Sequence, residues 1–173
     1  MNSYLFEMHP DPIPLHTPIT RLLDTHHVPY RRLPHQEAVF TIETAAQTRG
    51  VVMEEMVKSI LLKEKAGTNT RYVMACVPGH ARLLPQNVRE YLPGEWRRLT
   101  FASAEEIQAV TGAVKGAVAP LCLPDDVSVV FDEALLKFDK VSISSGDPWL
   151  GLEIHPADLF RLAKGVAGQI SEI

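Results

Sequence analysis

No stretch of this sequence could span a membrane: its apolar runs fall far short of the ~20 consecutive residues that a bilayer requires. The N-terminus, MNSYLFEMHPDPIP, lacks both a basic n-region and an apolar h-region, which argues against a secretory signal. Positive charge is not in surplus either. With 17 Lys and Arg against 21 Asp and Glu, the formal net charge is −4. Bulk nucleic-acid binding is therefore excluded, and any RNA contact must come from a local basic patch. Cysteine is scarce. Cys76 and Cys122 have no zinc-type spacing, and Cys76 sits in the apolar run YVMACV, where it reads as a small core residue. That usage fits a reducing cytoplasm. None of the seven histidines forms H-x-x-x-H or H-E-x-x-H, so no metal site is expected. There is no G-x-S-x-G elbow, and neither cysteine lies in a protease pattern with a histidine. Internal repeats and low-complexity segments are absent as well.

What is present suits a globular protein. A chain of 173 residues with 46% hydrophobic and 22% charged content can bury a sizeable core. Pro10, Pro12 and Pro14 mark residues 1–16 as an extended arm ahead of one domain over 17–173. Thr17 followed by Pro18 is a helix start, and Ile19, Leu22 and Leu23 stripe that helix to about His26. VPYRRL (28–33) reads as a strand, and a helix opens at Thr41 and closes at Gly50. VKSILLKE (57–64) and RYVMACV (71–77) read as a hairpin. A helix is expected over 85–92 and a strand near 97–100. Ser103 and Glu106 form a capping box for a helix that ends at Gly112. Strands follow at 127–132, 140–145 and 150–155, the last two around the turn GDPW, and a final helix begins near Pro156. Strands and helices do not alternate regularly. The expected fold class is therefore mixed α/β (α+β), with a curved, mostly antiparallel or mixed sheet flanked by helices, rather than a doubly wound parallel sheet.

Three features carry candidate chemistry. The run GAVKGAVAP (112–120) matches neither the P-loop nor the dinucleotide fingerprint, because Lys115 precedes Gly116 and the glycine spacing is wrong. One reading is a helix cap followed by an ordinary loop. The other is a loop in which Gly116 lets backbone N–H groups approach an oxyanion or carbonyl oxygen, with Pro120 stiffening the exit. Lys58 shares a strand face with Ile60 and Leu62, and the opposite face is also aliphatic. It either snorkels from a strand end or anchors an anion at a pocket rim. Ser142, Ser144 and Ser145 read as strand and turn residues, and Glu153 faces away from Leu152 and Ile154, towards solvent.

Together, VKSILL, TGAVKGAVAPL and VSISSG…LGLEIHPADL resemble, in order and spacing, the YbaK/ProX family. These are free-standing relatives of the prolyl-tRNA synthetase editing domain that act as aminoacyl-tRNA deacylases. The likeness runs from about Val28 to Leu162. It implies a cofactor-free, metal-free hydrolysis of the ester at the 3′ acceptor end of mischarged tRNA, Cys- or Ala-tRNA(Pro) in particular. It implies that Lys58 lies by the terminal adenosine and its phosphate, and that Gly116 with Ala117, Val118 and Ala119 holds the aminoacyl carbonyl and the attacking water. Pro120 would close that loop, and Ser144, Gly146 and Glu153 would line the pocket. The substrate's own ribose hydroxyl would assist the water, so no general base is assigned. The implied partners are mischarged tRNA and prolyl-tRNA synthetase, in the cytoplasm, for a monomer or homodimer. A non-catalytic tRNA- or synthetase-binding module of the same fold is the competing reading. Arg31, Arg32, Lys63 and Arg71 are the candidate tRNA-contacting cations. This sequence departs from the family in the longer DPWL turn, in Glu153 where a shorter acid is usual, and in the N-terminal arm.

Overall fold

A computed structural model of the chain describes residues 16–173, so the expected arm lies, apart from its last residue, outside the described residues. Helix α1 (Pro18–Thr25) starts where the hydroxyl of Thr17 accepts the Thr20 N–H at 3.2 Å, with proline at the first position. Strand β1 is Tyr30–Pro34, and α2 (Ile42–Arg49) runs from a Thr41 cap to Gly50, whose φ of +66° ends it in the left-handed conformation. The hairpin is longer than the sequence suggests. Strands β2 (Val57–Ala66) and β3 (Asn69–Pro78) pair along their whole length, leaving Gly67 and Thr68 as the turn.

Strand β4 (Arg82–Leu83) leads into α3 (Pro85–Val88), which tightens to a 3₁₀ turn at Arg89–Tyr91 instead of continuing to Leu92. The strand expected near 97–100 is β5 (Thr100–Phe101). Helix α4 (Ala104–Thr111) carries the capping box of Ser103 with Glu106 and ends at Gly112 (φ +72°). Strands β6 (Ser128–Asp132), β7 (Val141–Asp147) and β8 (Leu150–Ile154) and helix α5 (Pro156–Ala163) fall close to where the sequence places them. Two short strands, β9 (Val166–Gly168) and β10 (Ser171–Glu172), follow, and neither was anticipated. They and β4 have no alternation long enough to read, and they form because a partner strand is already in place.

The strands divide among three sheets instead of one. A mixed five-stranded sheet runs β5-β2-β3-β6-β9, an antiparallel sheet runs β1-β8-β7, and β10 pairs with β4. The main core packs the first two sheets together through Leu61, Met74, Phe131, Ile143, Leu152 and Ile154, with Leu23 and Leu159 added from α1 and α5. A second cluster, including Leu62, Val73, Val77, Leu99 and Ile170, covers the other face of the large sheet. Strand β2 is thus buried on both sides, as its two aliphatic faces predict. Among the described residues, no helix is long and apolar enough to cross a membrane.

The C-terminal segment is tied down by one buried carboxylate. Asp132 accepts from the Ile170 N–H at 3.2 Å, the Ser171 hydroxyl at 2.7 Å and the Ala134 N–H at 2.9 Å. Asp132→Ala strands a buried N–H and is expected to cost about 2–3 kcal/mol in urea unfolding, the penalty typical of an unsatisfied buried donor together with its lost partners.

Candidate functional site

The geometry of β2 creates the site. On one edge it is fully paired with β3, but on the other β5 meets only Leu62 and Lys63. The Ala102 N–H donates to the Leu61 carbonyl at 3.0 Å, so the odd-numbered residues of β2 turn their backbone groups to this outer edge. Ser59 therefore presents its N–H and C=O where no strand continues. The gap is a cavity of about 430 Å³. It is walled by β2, by Phe40–Glu43 and Arg49 on and before α2, by Phe101, by the loop at Lys115, Gly116 and Val118, and by Ser144.

Lys58 reaches this cavity and does not snorkel into bulk water. Its Nζ donates to the carbonyls of Ala81 at 2.6 Å and Gly79 at 3.4 Å. Burial lowers its pKa, and the carboxylate of Glu43 works against that fall. The amine is thus fixed at the cavity wall by two neutral acceptors. Gly116 has φ +93°, and a Cβ there would sit 2.7 Å from the Phe40 carbonyl carbon. Only glycine lets the loop lie against the Phe40 backbone. Ser144 ties the loop to β7: its hydroxyl donates to the Ala117 carbonyl at 2.9 Å and accepts the Gly146 N–H at 3.1 Å.

Lys58, Gly116, Val118 and Ser144 thus converge on one cavity. The other residues singled out in the sequence do not line it. Ala117 and Ala119 are buried behind the loop, and the Ala117 N–H is already committed to the Val114 carbonyl at 3.0 Å. Pro120 faces a groove beside Leu121 and Cys122, and Gly146 (φ +90°) borders a hollow beside Pro18 and Ile19. Glu153 lies on β8, and with only 12% of its side chain exposed it is not the solvent-facing residue expected from alternation alone. Burial would raise its carboxyl, but Arg31 (3.1 Å) and Lys140 (3.5 Å) hold it below the ordinary range. The candidate tRNA-contacting cations are each ion-paired: Arg31 with Glu153, Arg32 with Asp24, Lys63 with Glu106 and Arg71 with Glu64.

The sequence reading missed two residues, Arg49 and His35. The guanidinium of Arg49 donates from Nε to His35 Nε2 at 3.1 Å, and from Nη1 to the Ser142 hydroxyl at 3.0 Å and the Ile143 carbonyl at 3.1 Å. Gly151 makes room for it, since a Cβ there would lie 2.8 Å from Arg49 Cδ and closer to the guanidinium. Burial pushes Arg49 down to about 10, with no carboxylate to offset it. His35 is buried, and its Nδ1 lies 2.8 Å from the Pro148 carbonyl. Because Nε2 accepts from Arg49, the proton must sit on Nδ1 and the ring is neutral.

The sequence profile of the aminoacyl-tRNA editing domain matches residues 36–162, which contain every wall of this cavity. The chain belongs to that family. The Escherichia coli (strain K12) Multifunctional Ser/Thr-tRNA deacylase ProXp-y is 25% identical over 150 residues, covering 86% of this chain and 88% of that protein. The proline–tRNA ligase of Thermosipho melanesiensis is 32% identical over 116 residues, 67% of this chain but only 19% of the ligase. A solved structure described only as a hypothetical protein superposes with a TM-score of 0.79 at 28% identity, covering 89% of this chain and 99% of that one. Another, described as a candidate trans-editing enzyme for prolyl tRNA synthetase, shares the fold at TM-score 0.69 and 23% identity, covering 91% and 99% of the two chains. The cavity holds Lys58, Arg49 and Lys115 against the single carboxylate of Glu43, a balance that favours an anionic ligand.

The buried His35 makes stability depend on pH. Burial is the main cause of its lowered pKa, with Arg49 adding to it and the Pro148 carbonyl and Asp147 opposing it. Its contribution is whole above the unfolded value of about 6.5 and is lost as pH falls from there through the lower folded value. The melting temperature is expected to drop between pH 7 and pH 5, with a shallower slope in His35→Asn.

Proposed function

We propose that this protein is a trans-editing aminoacyl-tRNA deacylase of the cytoplasm that hydrolyses the ester of tRNA carrying a small, wrongly attached amino acid. The observation that carries this reading is the convergence of Lys58, Gly116, Val118 and Ser144, from three separate segments of the chain, on one cavity within the editing-family match. Lys58 supplies a fixed positive charge for the phosphate of the terminal adenosine. The loop at Gly116 and Val118 forms the wall against which the aminoacyl group lies, and Ser144 holds that loop in place. An aminoacyl ester is already activated, so neither a nucleophile nor a metal is required. Water, oriented with help from the substrate's ribose hydroxyl, completes the reaction.

The proline–tRNA ligase relatives favour tRNA(Pro) carrying cysteine or alanine and a working association with prolyl-tRNA synthetase. The naming of the E. coli relative brings serine and threonine into the same range. The deciding experiment is a deacylation panel of Cys-, Ala-, Ser- and Thr-charged tRNAs. Turnover of at least one is expected. No turnover of any, alongside salt-dependent tRNA binding, would instead make the protein a binding module.

Lys58→Ala is expected to remove most deacylase activity on whichever substrate is turned over, while leaving the melting temperature close to that of the native protein. Wild-type rates in the folded variant would take Lys58 out of the site.

A further inference from the structure

Arg49 is an unusual residue to find in a cavity wall. It is largely buried, it keeps its charge, and it has no carboxylate partner among the described residues. Its three hydrogen bonds all go to neutral acceptors on His35, Ser142 and Ile143, and together they use Nε and Nη1. No acceptor among the described residues takes Nη2. Since no buried side-chain nitrogen there lacks a partner, Nη2 is in reach of solvent, and Arg49 is one of the residues that line the cavity. Considerable structure is devoted to holding this group. The His35 ring is fixed by the Pro148 carbonyl, two neighbouring residues of β7 supply the other acceptors, and Gly151 of β8 gives up its side chain to the space that the guanidinium fills. A charge kept without a counter-ion, in a frame of fixed dipoles, suits an anion that exists only briefly.

We propose that Arg49 is a further catalytic residue of the deacylation, with Nη2 donating to the ester carbonyl oxygen as that oxygen becomes an anion. This inference rests on the deacylase reading above. In the addition step, the water oxygen bonds to the carbonyl carbon and the carbonyl π pair moves onto the oxygen facing Arg49. In the collapse, that pair re-forms the carbonyl, and the bond to the ribose oxygen breaks. The ribose oxygen leaves with its electron pair and takes up the proton that the water gave, so the products are the free amino acid and uncharged tRNA. Lys58, on the β2 side of the cavity, is left to the phosphate. Arg49 sits beside β7, close to Ser144 and so to the loop that Ser144 ties down.

Single-turnover deacylation by the intact protein tests this, using whichever charged tRNA the panel shows to be turned over. Arg49→Gln is expected to be slower by about 10²–10³, the usual loss for one oxyanion donor, with affinity for uncharged tRNA almost unchanged. Arg49→Ala is expected to regain part of its rate on addition of millimolar guanidinium, which a purely structural role would not produce. Arg49→Lys preserves the buried charge and serves as the second variant should the others fail to fold. It lacks the fork of donors and is expected to be at least about tenfold slower. A native rate in either folded Arg49→Gln or folded Arg49→Lys overturns the proposal. So does weakened tRNA binding with an unchanged rate, which would make Arg49 a phosphate anchor. A native protein inactive on the whole panel fails the deacylase reading itself, and this inference with it. An active native protein with an equally active Arg49 variant fails this inference alone.

Discussion

Strand β2 is sealed on both faces and open along part of one edge, and the site follows from that constraint. Leu61 and Leu62, adjacent in sequence, are both essentially inaccessible, each in a different apolar cluster. A one-residue slip would exchange the side chains of the two clusters, each packed for the residues it now holds, so the register of β2 is fixed by packing on both sides. Its outer edge is nevertheless covered only near Leu62 and Lys63. The edge beyond faces the gap, and the rest of the fold brings α2, the glycine loop and β7 around it.

The charge inside the gap contrasts with that of the whole molecule. The chain carries a net −4, yet the cavity gathers three cations against one carboxylate. Elsewhere several of the long basic side chains are ion-paired, Arg31 with Glu153 and Lys63 with Glu106 among them. Lys58 and Arg49 are instead held by carbonyls, a hydroxyl and a neutral imidazole. Neutral acceptors fix the position of a charge without cancelling it, which leaves the field available to an anionic visitor.

The parts of this arrangement that the sequence made legible are those with local signatures. Helix caps at Thr17, Thr41 and Ser103, the long hairpin and the alternating strands could all be placed from spacing and residue type. Lys58 stood out because a cation in an otherwise aliphatic strand conflicts with its surroundings. The division into separate sheets could not be read, because β4, β9 and β10 are two or three residues long and exist only through their partners. Arg49 and His35 were invisible for a related reason. The acceptors of Arg49 on β7 lie 93 and 94 residues away, and an arginine at the end of an exposed-looking helix gives no local sign of burial. The converse held for Pro120 and Gly146: they belong to conspicuous motifs, but they border other hollows of the surface.

The contact between Gly116 and the Phe40 backbone bears on how such a site can diversify. The two walls meet there main chain against main chain, so their spacing at that point is set by backbone and by the absence of a Cβ at Gly116. Lining residues such as Ile42, Ile60, Phe101 and Val118 take no part in that main-chain contact. Evolution can therefore retune the lining, and with it which amino acid fits, while a single glycine keeps that contact in place.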